Sequence, residues 1–394
     1  MKFSNRLSQL KPYPFVEISR IIAQKKKEGV EVVTFGIGDP DIPTPEPIIE
    51  RAIEASRNPV NHRYPETDGT PEVRRAIATW YKKRFGITDL DPDKEVLPLI
   101  GAKEGIGHMA FCFLDPGDVA LIPDPAYPVY AVGTMFAGAK AYTMPLHEEN
   151  GWLPDLDAIP TDVARDAKVM WLNYPNNPTA AIAPKSFYEK AIAYCKKYDI
   201  ALLHDAAYSE VVYDGYKAPS ILEFPGAKDV AIEFHSLSKC FNMTGWRFGS
   251  AVGNADMVKA LFQIKSNLDS GIPQAIQEMA IEAMTGDQKY IDENNTIYKR
   301  RRDKVVKALT RLGLRIVPPK AALYLWARVP QGYGSAEFAA ALLRDTAIVV
   351  TPGSSYGQQG EGYIRLSLTT PDEMVDKGIQ RLNSWKLPPP AKKR

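Results

Sequence analysis

The feature that most constrains this chain is an alternation of short apolar runs with stretches of helical spacing. The runs occupy 119–122, 169–172, 200–203, 231–234 and 248–252, four or five residues each. Such runs, without polar alternation, suit strands buried on both faces. Thr70-Pro71 predicts a helix start, with Val73, Ile77, Trp80 and Tyr81 on one face and Gly86 at its end. Thr44-Pro45 predicts another, presenting Ile48, Ile49, Ala52 and Ile53. Strands alternating with helices predict an α/β fold, with a mainly parallel central sheet and helices on both faces.

After about residue 280 the texture changes. The stretch 290–312 reads as one heavily charged helix closed by Gly313. Strand-like runs follow at 315–317 and 322–327, a helix at 336–344, strands at 348–350 and 364–368, and a helix after Thr370-Pro371. This predicts a smaller α+β domain. The expected division is an N-terminal arm and part of the small domain over 1–47, a large domain over 48–280, and a C-terminal small domain over 281–394. The tail from Lys386 reads as a solvated end.

Composition narrows the classes. With 394 residues, 45% of them hydrophobic, there is apolar surface for a sizeable core. Lys plus Arg number 49 and Asp plus Glu 47, a net charge of +2. That balance predicts no nucleic-acid partner. The longest apolar run, 321–327, is seven residues, so no membrane span is expected. The N-terminus lacks the apolar core of a signal peptide. Cys112, Cys195 and Cys240 are odd in number and scattered, which predicts neither a disulfide framework nor a metal site. A cytoplasmic enzyme fits best.

Polar clusters follow three of the predicted strands: Asn173-Tyr-Pro-Asn-Asn177-Pro178, His204-Asp205-Ala-Ala-Tyr208 and His235-Ser236-Leu-Ser238-Lys239. In parallel α/β sheets ligands sit beyond the carboxyl ends of strands, so Asn177, Asp205, Tyr208 and Lys239 are predicted to converge. Alone, each has a plainer reading, the Lys as a solvated charge and the Asp as a helix cap. Ser236, Ser238 and Arg247 surround the Lys with two hydroxyls and a guanidinium, which suits a phosphate dianion. Gly101-Ala102-Lys103 sits where a loop turns into a helix, whose free N–H groups form an anion site. A nucleophilic Lys, an Asp and a phosphate cradle together suggest pyridoxal 5'-phosphate. In that reading Lys239 forms a Schiff base and Asp205 keeps the pyridine nitrogen protonated. Asn177 and Tyr208 reach the ring hydroxyl, and Tyr127 stacks on the ring. His204 and His235 read as packed or hydrogen-bonded neighbours, His108 as a helix residue near the phosphate loop, and Cys240 shows no sign of activation.

These pieces resemble the class I/II aminotransferases of the aspartate aminotransferase fold over nearly the whole chain. The matches are Gly36-Ile-Gly38-Asp-Pro-Asp, Tyr64 with Gly69, Asp-Pro-Ala-Tyr127-Pro, Asn-Tyr-Pro-Asn-Asn177-Pro, Asp205-Ala-Ala-Tyr208 and Ser-Leu-Ser-Lys239 with Arg247. The resemblance implies Lys239 as the Schiff-base residue and Asp205 as its pyridinium partner. It implies Arg365 as the clamp on the substrate carboxylate, with Gly38 and Asn177 beside it. It also implies a homodimer with shared active sites, in which Tyr64 crosses to the neighbouring cofactor phosphate.

A finer resemblance is to bacterial LL-diaminopimelate aminotransferase-like members, on Pro98-Leu-Ile, Gly101-Ala102-Lys103 and Glu148-Glu-Asn-Gly-Trp-Leu-Pro-Asp-Leu-Asp. It implies amino transfer from glutamate to tetrahydrodipicolinate, in lysine biosynthesis. Lys103 and Asn267 match positions that serve the far end of that substrate, Asn267 from the partner subunit. The acidic position there is open: Glu66, Asp68 or neither of them. Aminotransferases of alanine, aspartate or aromatic amino acids, and a C–S β-lyase of the same fold, are the alternatives.

Overall fold

The computed structural model describes residues 1–10 and 14–390; Ala391–Arg394 of the expected solvated tail lie outside the described residues. The first strand is β1 (Val33–Thr34). Seven strands then build the central sheet: β2 (Val96–Leu99), β3 (Val119–Asp124), β4 (Lys140–Pro145), β5 (Ala167–Asn173), β6 (Ala201–Asp205), β7 (Ala231–Ser236) and β8 (Gly249–Gly253). Their order is β2-β8-β7-β6-β5-β3-β4. The pairs β3·β4, β3·β5, β5·β6 and β6·β7 are parallel, while β8 runs antiparallel to both neighbours. The sheet is thus mainly parallel, as the buried runs predicted. β2 and β4 lie outside those runs. β4 is the edge strand, mostly solvent-facing, with Lys140 and Pro145 at its ends, so it carries no apolar signal.

Helix Pro71–Phe85 forms as its sequence dictates. The Thr70 hydroxyl accepts from Val73 N–H at 3.3 Å, Pro71 starts the first turn, and Gly86 closes it at φ +73°. Its Val73, Ile77, Trp80 and Tyr81 are buried. The helix after Thr44 begins one residue later than predicted, at Glu46 with Pro45 as its cap. The Thr44 hydroxyl instead donates to Asn242 O.

A second core surrounds an antiparallel sheet of β9 (Arg315–Ile316), β10 (Tyr324–Arg328), β12 (Thr351–Pro352) and β13 (Tyr363–Ser367), in the order β12-β13-β10-β9. Strand β11 (Ile348–Val349) pairs in parallel with β1, which ties the N-terminal segment to this body. Helices Lys289–Arg311, Ser335–Thr346 and Asp372–Ser384 cover the sheet. The charge run on the first of these is consumed internally. Arg300 and Arg301 meet Asp372, Arg301 also meets Asp41, Arg302 meets Asp214, and Lys304 meets Asp376. Among the described residues no helix is long and apolar enough to cross a membrane.

Candidate active site

β5, β6 and β7 are adjacent and parallel, so their carboxyl ends finish together. Asn173 is the register partner of Asp205, and Asp205 of Phe234. Beyond these ends opens a cavity of about 410 Å³. Asn177, Asp205, Tyr208, Ser236, Ser238 and Lys239 line it from the three post-strand loops. Gly38, Ala102, Lys103, Tyr127 and Arg247 complete the wall from other parts of the chain.

Part of this wall brings together groups that could hold an anion. Helix Ala102–Phe113 begins there, after Gly101 at φ +72°; Glu104 N–H reaches back to Gly101 O at 3.2 Å, and a helix start of this kind presents N–H groups to an anion. Ser236 caps the short helix Leu237–Cys240 by accepting from Ser238 N–H at 3.2 Å. Arg247 is held at φ +57° with its Nη1 donating to Thr244 O at 2.9 Å. A Cβ on Gly101 would collide with the Arg247 guanidinium, and one on Gly249 with the Ala102 backbone nitrogen. Both glycines therefore permit the close approach that forms the cradle. Burial, and the nearby Arg247 charge, lower the pKa of Lys103.

Asp205 also lines the cavity. Its Oδ2 accepts from the Tyr130 hydroxyl at 2.7 Å and its Oδ1 from Ala207 N–H at 3.3 Å. Burial raises its pKa, and those donors oppose the rise. The Tyr130 ring stacks on Trp171 of β5, 4.6 Å between centroids. The Tyr208 and Tyr324 hydroxyls are 2.7 Å apart. Lys239 Nζ donates to Gly38 O at 2.9 Å. Its pKa is pushed down to about 8, chiefly by burial; the Asp39 carboxylate opposes this, and Arg365 and Arg247 add to it. A neutral amine is thus within reach near neutral pH.

Arg365 sits in the middle of β13, fully buried. Its Nη1 donates to Asn177 Oδ1 at 2.9 Å and its Nη2 to Gly36 O at 3.0 Å. The guanidinium lies 4.0 Å from the Tyr324 ring centroid. Asn177 therefore joins the buried Arg to the cavity wall. Two predicted residues lie elsewhere in this chain. Tyr64 is 89% exposed and lines a separate concavity with Arg63, Pro273 and Gln274. Asn267 is exposed, with its amide donating to Gln263 O.

The family model described as aminotransferase class I and II matches residues 30–382. The chain belongs to the class I and II aminotransferases. A curated relative named LL-diaminopimelate aminotransferase, from Dehalococcoides mccartyi, is 58% identical over 386 residues, 98% of this chain and 99% of its own. Another of that name, from Halothermothrix orenii, is 52% identical and covers 98% of each chain. Among solved structures, apo-BacF from Bacillus subtilis superposes with a TM-score of 0.94 at 38% identity, over 98% of this chain and 99% of its own. A Thermus thermophilus aspartate aminotransferase mutant gives 0.89 at 28% identity, over 97% and 98%. The fold is that of aspartate aminotransferase.

Two residues of this aminotransferase's site escaped the sequence reading. Tyr130 lies in the first turn of helix Val129–Phe136, which begins just past the cavity-lining Tyr127. Tyr324 sits inside the longest apolar run, where nothing distinguishes it from core. His204 and His235 are indeed packed neighbours: His204 Nδ1 lies 2.9 Å from Glu233 Oε2, and His235 rests on Trp80.

Proposed function

We propose that this aminotransferase uses pyridoxal 5'-phosphate to move an amino group from glutamate to tetrahydrodipicolinate, yielding LL-2,6-diaminopimelate. The chemistry rests on one observation: Lys239, Asp205, Arg247 and Asn177, which accepts from the buried Arg365, line a single cavity. The donor set fits the cofactor. Cradle hydroxyls, N–H groups and Arg247 match a phosphate, a buried carboxylate matches a ring N–H, and a low-pKa amine matches an aldehyde.

When bound, the cofactor supplies an aldehyde that takes up the substrate amine and a protonated ring that accepts the electron pair left at Cα. Asp205 would hold the ring nitrogen's proton, with Tyr130 and Ala207 N–H opposing the rise in its pKa that burial imposes. Asn177 and Tyr208 face the ring hydroxyl, and Tyr127 the ring face. Ala102, Lys103, Ser236, Ser238 and Arg247 bind the phosphate, joined by the partner subunit's Tyr64. Arg365, Asn177 and Gly38 orient the substrate's α-carboxylate. Lys239 would hold and move the proton at the substrate Cα, a role its lowered pKa suits.

The substrate is carried by the relatives named LL-diaminopimelate aminotransferase, 50–58% identical over nearly full length. Its far ammonium and carboxylate call for Lys103, the partner's Asn267 and one acidic residue. Glu66 is favoured over Asp68. Asp68 is committed to Arg74 at 2.9 Å, while among the described residues no ion pair engages the Glu66 carboxylate. The exposed Tyr64, Val60 and Leu268 support a homodimer with shared sites. The division at residues 1–47, 48–280 and 281–394, and a cytoplasmic setting, belong to the same reading.

The test is a set of single-turnover reactions of the cofactor-loaded protein with LL-diaminopimelate, glutamate, alanine and aspartate. Conversion by diaminopimelate and glutamate at least about tenfold faster than by alanine supports the substrate. Equal rates with alanine remove it and leave the family standing.

A further inference from the structure

Helix Ala255–Leu268 carries Lys265, whose side chain is fully buried. Its Nζ lies 3.2 Å from Glu104 Oε2 and 2.8 Å from Asp269 Oδ1. Glu104, His108 and Asp269 bring one ligand atom each within 4.8 Å of one another, a spacing open to a metal ion. The chain's own ammonium already serves two of these three groups, which disfavours a second cation there.

Each carboxylate also organises a turn. Glu104 Oε2 accepts from Ile100 N–H at 2.7 Å, fixing the turn that leads through Gly101 into Ala102 and Lys103 at the cradle. Asp269 Oδ1 accepts from Gly271 N–H at 2.8 Å. Gly271 stands at φ +84°, and a Cβ there would fall 2.8 Å from Glu66 O. The second turn is therefore pressed against the segment that displays Tyr64 and Glu66.

We propose that Lys265 is a positioning residue, an internal cation that fixes the turn before the cradle helix through Glu104 and the turn behind the Tyr64–Glu66 segment through Asp269. This rests on the reading of the cradle as the phosphate site. Both groups of phosphate contacts, those within the subunit and those lent to its partner, then depend on one ammonium. Removing it leaves two enclosed carboxylates facing each other and pushes the turns apart.

The experiment compares full-length wild type with Lys265→Met. It measures the dissociation constant of pyridoxal phosphate by dialysis and the inorganic phosphate concentration that halves its rebinding. Both are expected to rise about tenfold in the variant, while the visible band of the bound cofactor, set at the ring end, keeps its position. A variant whose melting temperature falls but whose two constants match wild type overturns the proposal. Should Lys265→Met not fold, Glu104→Gln keeps an acceptor for Ile100 and removes the charge facing Lys265. Its phosphate constant is expected to rise about threefold, and an unchanged value overturns the proposal equally. A wild type that binds neither compound refutes the functional reading, and this inference with it. A wild type that binds both, beside an unaffected variant, refutes this inference alone.

Discussion

The Tyr130 hydroxyl donates to Asp205 Oδ2 across 2.7 Å, and both side chains are buried. Burial alone raises the pKa of Asp205, and this donor is the largest influence holding it down. Tyr130→Phe removes the donor and keeps the stack on Trp171. The carboxyl pKa then rises, so activity is lost at a higher pH on the acid side. A pH–kcat profile should show its acidic limb displaced upward by roughly one pH unit, the worth of one hydrogen bond to a charged group. An unmoved limb would show that Tyr130 does not govern Asp205.

Lys239 offers a second titration. With a pKa of about 8, its neutral fraction grows through the mildly alkaline range. Cofactor loading should accelerate with pH around that midpoint, because only the neutral amine is nucleophilic. The Asp39 carboxylate favours the ammonium, so Asp39→Asn should move the midpoint to lower pH. Stopped-flow loading at a series of pH values reads both, and a midpoint near the ordinary lysine value would refute the assignment.

Gly249 lies against the start of the cradle helix. Gly249→Ala puts a methyl group on the Ala102 backbone nitrogen. Overpacking of this kind costs roughly 1–3 kcal/mol, and here it also displaces the cradle. Urea unfolding and cofactor dissociation should both worsen. Loss of stability with intact affinity would mean that the cradle is not where the phosphate binds.

The far end of the substrate separates Glu66 from Asp68. Glu66→Gln should raise the KM for LL-diaminopimelate about tenfold and leave that for glutamate unchanged. Asp68→Asn should chiefly loosen Arg74, lowering stability with little change in either KM. Steady-state kinetics on the two variants decide between the residues, and the reverse pattern would reassign the site to Asp68.

How much of this was legible in the sequence follows from physics. The post-strand clusters at Asn177, Asp205 and Lys239 could be read because parallel neighbours end at one level, which turns strand position into proximity. Ser236, Ser238 and Arg247 could be singled out because their chemistry lies in their side chains, and Gly101 because it stands where a loop turns into a helix. β4 was silent, since an edge strand needs no apolar run. Lys265 resembles any solvated lysine on an amphipathic helix until Glu104 and Asp269 are seen around it. The Arg365–Asn177 bond joins residues 188 positions apart, and only the family pattern brought Arg365 forward.

In the proposed reaction the amine of Lys239 carries the cofactor. Borohydride reduction of the cofactor-loaded protein, followed by mass mapping of the labelled peptide, tests this. A single phosphopyridoxyl adduct is expected on the peptide that contains Lys239. A label on Lys103, the other lysine of the cavity, or no label at all would contradict it.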